Sequence, residues 1–152
     1  MPEQAPSGRG LRVALVVSRY HDFITDRLRD AAVETLVEAG VARDAITVHA
    51  VPGAYEIPQA AAAVAAALAP DAVLCLGCVI RGATPHFDYI ASTVAHGITE
   101  AALAARVPMA FGVLTTNSVE EALERAAPGP ANKGREAALA ALEMATLFGG
   151  LR

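Results

Sequence analysis

Apolar residues in this chain fall into two kinds of run that alternate. Short continuous runs rich in Val, Leu and Ile are followed by longer stretches in which apolar residues return every three or four positions. The first kind predicts strands buried on both faces, and the second predicts amphipathic helices. Leu11 to Val17 (LRVALVV) predicts the first strand. A helix then runs from Asp22, placed to cap it, to about Ala39, with Gly40 as its stop. Its apolar positions Ile24, Leu28, Ala32 and Leu36 keep i, i+4 spacing. Ala45 to Val51 predicts a second strand, halted by Pro52-Gly53. The next helix starts near Ile57 and carries Pro58 in its first turn, where a missing N–H costs nothing. Asp71 to Gly77 predicts the third strand, and Cys78 to Pro85 a loop. A helix from about His86 to Ala105 leads to a fourth strand, Val107 to Thr115. Ser118 caps a short helix, with Glu121 at capping-box spacing. After a Pro/Gly loop, Ala127 to Ala131, the last helix runs from about Asn132 to Leu147 and is ended by Gly149-Gly150.

This order, β-α-β-α-β-α-β-α-α, predicts a four-stranded parallel sheet covered on both faces: a three-layer α/β/α sandwich. A length of 152 residues fits one domain. Neither a repeat nor a linker composition divides it. Residues 1–10 are polar and rich in Pro and Gly, so they read as a flexible lead-in, with 11–152 as the single domain.

Composition narrows the function. Hydrophobic residues make up 54% but aromatics only 5%, so small aliphatics, Ala above all, fill the core. There are 12 Lys and Arg against 16 Asp and Glu, a formal net charge of −4. That balance excludes a basic arm or broad cationic face for nucleic acid. No apolar run reaches the roughly 18 residues of a membrane span. The lead-in lacks an apolar export region, which predicts a cytoplasmic protein with reduced thiols. Cys75 and Cys78 form a CxxC, but within an extended run residues three apart point to opposite faces roughly 10 Å apart. They therefore read as two separate thiols. No metal-ligand spacing links the histidines, so no metal site is predicted.

Ligands of open parallel sheets bind beyond the carboxyl ends of the strands. Four segments sit there: Ser18 to His21, Pro52 to Glu56, Cys78 to His86, and Thr115 to Asn117. They supply Tyr20 and Tyr55 as flat apolar faces, Glu56 as a carboxylate, a Gly82-Ala83-Thr84 turn, and His86. A glycine-bearing turn opening a helix can offer backbone N–H groups to an anion, although the same three residues also make an ordinary strand-to-helix connection. As a histidine, His86 offers a ring nitrogen able to move protons between carbonyl and amine groups, or it simply begins the helix. His49 and His96 read as structural. Arg125 and Lys133 flank the Pro/Gly loop. A lysine at a helix start opposes the helix dipole and hints at a compensating anion. Phe111, mid-strand, reads as core.

Taken together, SRYHDFIT (18–25), VPGAYEIP (51–58), LGCVIRGATPHFDYI (76–90), PMAFGVLT (108–115) and the ALERA…NKG…ALEMA region (122–145) resemble the lumazine synthase family of riboflavin biosynthesis. The strings come in family order and cover nearly the whole chain from Leu11. The resemblance implies a flavodoxin-like fold and a cofactor-free, metal-free transferase. Its reaction would join 5-amino-6-(D-ribitylamino)uracil to 3,4-dihydroxy-2-butanone 4-phosphate, giving 6,7-dimethyl-8-ribityllumazine, phosphate and water. It also implies residue roles. Tyr20 would stack on the pyrimidine. Ala54, Tyr55 and Glu56 would hold the ribityl chain and ring, and Cys78, Val79 and Ile80 would contact the pyrimidine. Ala83, Thr84 and Arg125 would hold the phosphate, and His86 would transfer protons. Phe111 would close a neighbouring subunit's site, and Lys133 would lie near the ribityl and phosphate groups. The implied assembly is a homopentamer with sites between subunits. Some members build sixty-subunit shells, and riboflavin synthase is a candidate protein partner.

Two departures stand out. The family often has Asn at position 21 and Phe at 20, where this chain has His21 and Tyr20. The 127–131 loop also lacks a Gly-Thr-Lys-Ala-Gly string found in many shell-forming members. Other functions on this fold fit poorly. A signalling receiver needs acidic residues where Ser18-Arg19 and Leu76-Gly77 stand, and a flavodoxin-type electron carrier needs a phosphate loop after the first strand, where Ser18 to Phe23 has no glycine. A non-catalytic lumazine- or flavin-binding or shell-forming relative is the alternative, and Thr84, His86 and Arg125 argue against it.

Overall fold

The computed structural model describes residues 6–152. Strands β1 (Val13–Ser18), β2 (Ile46–Val51), β3 (Ala72–Ile80) and β4 (Met109–Thr116) form one all-parallel sheet in the order β2-β1-β3-β4. The helices are α1 (Asp22–Glu38), α2 (Ile57–Leu68), α3 (His86–Ala105), α4 (Val119–Arg125) and α5 (Lys133–Gly150). Side chains alternate across β1: Val13, Leu15 and Val17 face a core built with α1, α4 and α5, while Ala14 and Val16 face one built with α2 and α3. The expected three-layer sandwich is therefore present. All six residues of β1 are buried, as are eight of the nine in β3. Strand β2 differs from the expected doubly buried strand. It is an edge strand whose Thr47 and Val48 are exposed.

The chain leaves β1 for β2 in one direction and leaves β3 for β4 in the other. That reversal opens a crevice at the carboxyl ends of β1 and β3, where ligands of such sheets bind.

Several element ends differ from the sequence expectation. Strand β3 does not stop at Gly77. It continues through Cys78 and Val79 to Ile80, paired in register with β4 as far as Thr116. Gly77 serves close packing instead: a Cβ there would lie 2.9 Å from the Ile57 side chain and 3.2 Å from the Ser18 hydroxyl. The N-cap of α1 is His21 in the left-handed region (φ 62°), not Asp22, which is the first helical residue. Gly40 ends α1 as expected: its N–H donates to Val37 and that of Val41 to Leu36, the paired bonds of a Schellman end. In α4 the Ser118 hydroxyl accepts from the Glu121 N–H, but Glu121 reaches back to the N–H of Asn117, one residue before the cap. Helix α5 runs through Gly149-Gly150, because terminal carbonyls open to water need no left-handed glycine.

Residues 1–5 of the expected lead-in lie outside the described residues. At Gly8 the chain is already attached, its N–H donating to the Ala39 carbonyl and its Cα packed on Val41. Arg12 caps a distant helix. Its guanidinium donates to the Leu68 and Ala69 carbonyls at the end of α2, which has no basic residue in its own last turn.

Helices α1 and α5 cross at Gly134, where a Cβ would fall inside the van der Waals shell of the Leu28 carbonyl oxygen. Relief would require the two helix backbones to separate. Gly134→Ala is expected to cost about 3 kcal/mol, the upper end of overpacking penalties. Thermal denaturation measures this as a clearly lowered midpoint, and an unchanged midpoint would contradict the close crossing.

Candidate active site

Main-chain bonds bring the strand ends together. The N–H of Arg19 donates to the Val51 carbonyl at 2.8 Å and that of Tyr20 to the Pro52 carbonyl at 3.1 Å. These bonds fasten the segment after β1 to the segment after β2, where Ala54–Glu56 forms a 3-10 turn leading into α2. The segment after β3 crosses beside them, and the N–H of Arg81 continues the ladder to the Thr116 carbonyl.

A cleft of about 490 Å³ opens at this edge. Among the expected site residues, Tyr20, Ala54, Tyr55, Cys78, Val79, Ile80, Thr84 and His86 line it. Ala83 lies between Gly82 and Thr84, which both face the cleft. Glu56 flanks it, its Oε1 3.4 Å from where a Cβ on Gly53 would stand. Tyr20 and Tyr55 are 68% and 59% exposed, so neither is held by the core and each offers open ring surface to a planar ligand. Buried Cys78, Val79 and Phe87 make an apolar floor.

The turn from Gly82 to Pro85 is exposed. The N–H groups of Gly82, Ala83, Thr84, His86 and Phe87 make no hydrogen bond within the described chain. Pro85 is the N-cap of α3 and gives no side-chain cap. Free amides, a helix N-terminus and the Thr84 hydroxyl together suit an anion.

Arg125, Lys133 and Phe111 are not in this cleft. They line a second one, of about 520 Å³, between β4, α4 and the start of α5. Phe111, which the sequence pattern assigned to the core, is 39% exposed on the free edge strand. Beside Lys133 the chain itself places one carboxylate, Glu136, whose Oε2 lies 3.7 Å from its Nζ in an exposed pair. No residue lines both clefts.

Sequence reasoning passed over other lining residues. Phe87 and Val119 are the second residue of α3 and the first of α4, positions that look like ordinary helix starts. His21 belongs to a strand-end segment of the sequence, but the left-handed backbone that accompanies its place on the cleft wall is announced by no pattern. Its ring packs 4.4 Å from that of Tyr20 and 6.0 Å from that of Phe23. Partial burial lowers its pKa below the usual histidine value, favouring the neutral ring.

Cys75 and Cys78 are free and belong to opposite cores, as alternation along β3 requires. Burial pushes their thiols up to about 12 and about 11 respectively. Neither is a nucleophile at neutral pH. Among the described residues no helix is long and apolar enough to cross a membrane.

Compared with known families, the chain matches the model for 6,7-dimethyl-8-ribityllumazine synthase over residues 10–149. Both thiols are expected to resist iodoacetamide at neutral pH in the native protein and to react fully in denaturant. Mass spectrometry measures this, and rapid native alkylation of Cys78 would contradict its protonated, buried state.

Proposed function

The chain belongs to the 6,7-dimethyl-8-ribityllumazine synthase family of riboflavin biosynthesis, and from that premise we propose that it condenses 5-amino-6-(D-ribitylamino)uracil with 3,4-dihydroxy-2-butanone 4-phosphate. The products are 6,7-dimethyl-8-ribityllumazine, inorganic phosphate and water. The observation that carries the reading is the convergence of two exposed tyrosines, an apolar floor, an unpaired-amide turn and His86 on one cleft.

In this reading the pyrimidine stacks on Tyr20 above the Cys78-Val79-Ile80 strand end. The ribityl hydroxyls donate to Glu56 and lie along Ala54 and Tyr55. The phosphate of the four-carbon substrate sits on the amides of the 82–86 turn with the Thr84 hydroxyl. The pyrimidine's amine attacks the ketone carbon, and water leaves as the imine forms. Phosphate elimination, tautomerisation, ring closure and a second dehydration follow. Each of these steps moves a proton near the junction of the two substrates, the work assigned to His86. Much of the rate comes from holding both reactants in register.

A single copy lacks a cation at the turn from Arg125 and a lid from Phe111, because both line the other cleft. We infer that the second cleft of one copy closes the first cleft of the next. Two different surfaces meeting head to tail generate a ring where the rotation closes, and the family resemblance implies closure at five members. Arg125 of the neighbouring copy would then pair with the phosphate, Phe111 would cover the ring, and Lys133 would approach the ribityl and phosphate groups.

The direct test mixes purified protein with both substrates and follows lumazine absorbance and phosphate release against a blank without enzyme. A rate well above blank is expected. His86→Ala should lower kcat by about 10² while leaving both KM values nearly unchanged, the scale of general acid–base catalysis. Arg125→Ala should raise KM for the phosphorylated substrate selectively. No wild-type rate above blank, or equal loss of affinity for both substrates in Arg125→Ala, would contradict the assignment.

A further inference from the structure

The turn that bears Thr84 and His86 has no internal hydrogen bonds to hold its shape. Behind it stands Arg81, which does not line the cleft. Its Nε donates to Asn117 Oδ1 at 2.9 Å, reaching the loop between β4 and α4. One terminal nitrogen lies 3.4 Å from Asp88 Oδ1 in the first turn of α3. The guanidinium carbon is 4.4 Å over the ring of Phe87, which is itself buried and forms part of the cleft floor. Its main-chain N–H meets the Thr116 carbonyl at 2.8 Å.

Rooted just after the end of β3, one planar fork thus touches two further elements, the start of α3 and the β4–α4 loop. A cation beside a helix N-terminus is electrostatically unfavourable, so its placement there needs compensation. Asp88, Asn117 and the aromatic face supply it, each from a different direction. Asn117 is held in turn, its N–H donating to Glu121 Oε2 at 2.9 Å. The turn between Arg81 and His86 is short, so fixing the guanidinium fixes both ends of the turn.

We propose that Arg81 is a positioning residue that sets the 82–86 turn for anion binding, acting through Asn117, Asp88 and Phe87 rather than by touching substrate. A lysine cannot replace it, because a single ammonium on a flexible stem cannot reach Asn117 and Asp88 at once while lying flat on Phe87. This inference rests on the proposed function for the identity of the phosphorylated substrate, but the anion site can be tested without it.

The test compares wild type with Arg81→Ala, Arg81→Lys, Asn117→Ala and the Arg81→Ala/Asn117→Ala double variant, each checked for unchanged thermal midpoint and assembly. Two readouts are taken: steady-state KM and kcat for each substrate, and inorganic phosphate affinity by calorimetry. Arg81→Ala should raise KM for the phosphorylated substrate about tenfold, with the pyrimidine KM within about twofold of wild type. Arg81→Lys should not rescue it. Asn117→Ala should shift the same parameter in the same direction, and the double variant should be no worse than Arg81→Ala alone, because the two act as one unit. Inorganic phosphate affinity should fall in parallel. Full rescue by Arg81→Lys, a wild-type Asn117→Ala, or multiplicative effects in the double variant would overturn the proposal. If Arg81→Ala does not fold, Asn117→Ala and Arg81→Lys decide the matter alone. If the wild type makes no lumazine, the proposed reaction fails and the phosphate arm still decides: parallel loss of phosphate affinity supports the positioning role. Unchanged affinity in the variants, or no phosphate binding by wild type, overturns it.

Discussion

Strands β1 and β3 pair side by side, and neither carries a charged side chain. Parallel strands of that kind must be covered on both faces, because water can meet neither. Helices α1 and α5 therefore lie on one side and α2 and α3 on the other. With β2 beyond β1 and β4 beyond β3, the connections leaving the two central strands diverge at their carboxyl ends. The crevice is a consequence of burial, and the residues of the first cleft come from the end of β3, from segments leaving this sheet or from the first turns of the helices that follow.

The helices approach closely because small residues stand at their contacts. Gly134 lets α5 cross the main chain of α1, and a Cβ on Gly97 of α3 would stand 2.8 Å from Pro58 of α2. An Ala-rich, aromatic-poor composition is thus tied to geometry: thin helices packed tightly on a thin sheet. The aromatic residues kept are placed largely outside the cores. Tyr20, Tyr55 and Phe111 are all exposed at the two clefts. Large exposed aromatics are costly to leave in water and efficient at holding a planar ligand or a partner surface.

Much of the fold was legible because its signals are local. Hydrophobic runs marked the strands, Gly40 marked the end of α1, and Pro58 and Ser118 marked helix starts. The errors came where a residue's reason was tertiary. Gly77 reads as a strand end but is needed for the approach of Ile57 and Ser18, so Cys78, Val79 and Ile80 were placed in a loop. Gly149-Gly150 reads as a helix stop but sits in a terminal turn with nothing to require one. At the site, Tyr20, Tyr55, Thr84 and His86 were readable because each follows a strand. The exposure of Phe111 was not readable from its pattern, which is that of a core residue, because it depends on β4 being the sheet edge. Phe87 and Val119 gave no signal, and His21, though it follows a strand, gave no sign of its direction, since a left-handed cap and the first turns of helices reveal their direction only in three dimensions.

The account turns on one division: His86, proposed to transfer protons, and Arg125, proposed to pair with phosphate, line separate clefts of the same chain. Mixing impaired His86→Ala with impaired Arg125→Ala protein, after dissociation and reassembly and assayed well below the KM of Arg125→Ala for the phosphorylated substrate, tests it most directly. If each site joins the first cleft of one copy to the second of the next, random assembly in a head-to-tail ring restores about a quarter of the sites, and activity should return to about that fraction of wild type. If both residues serve the same chain's site, every copy stays defective and the mixture is no more active than the average of the two variants alone, which would contradict the account.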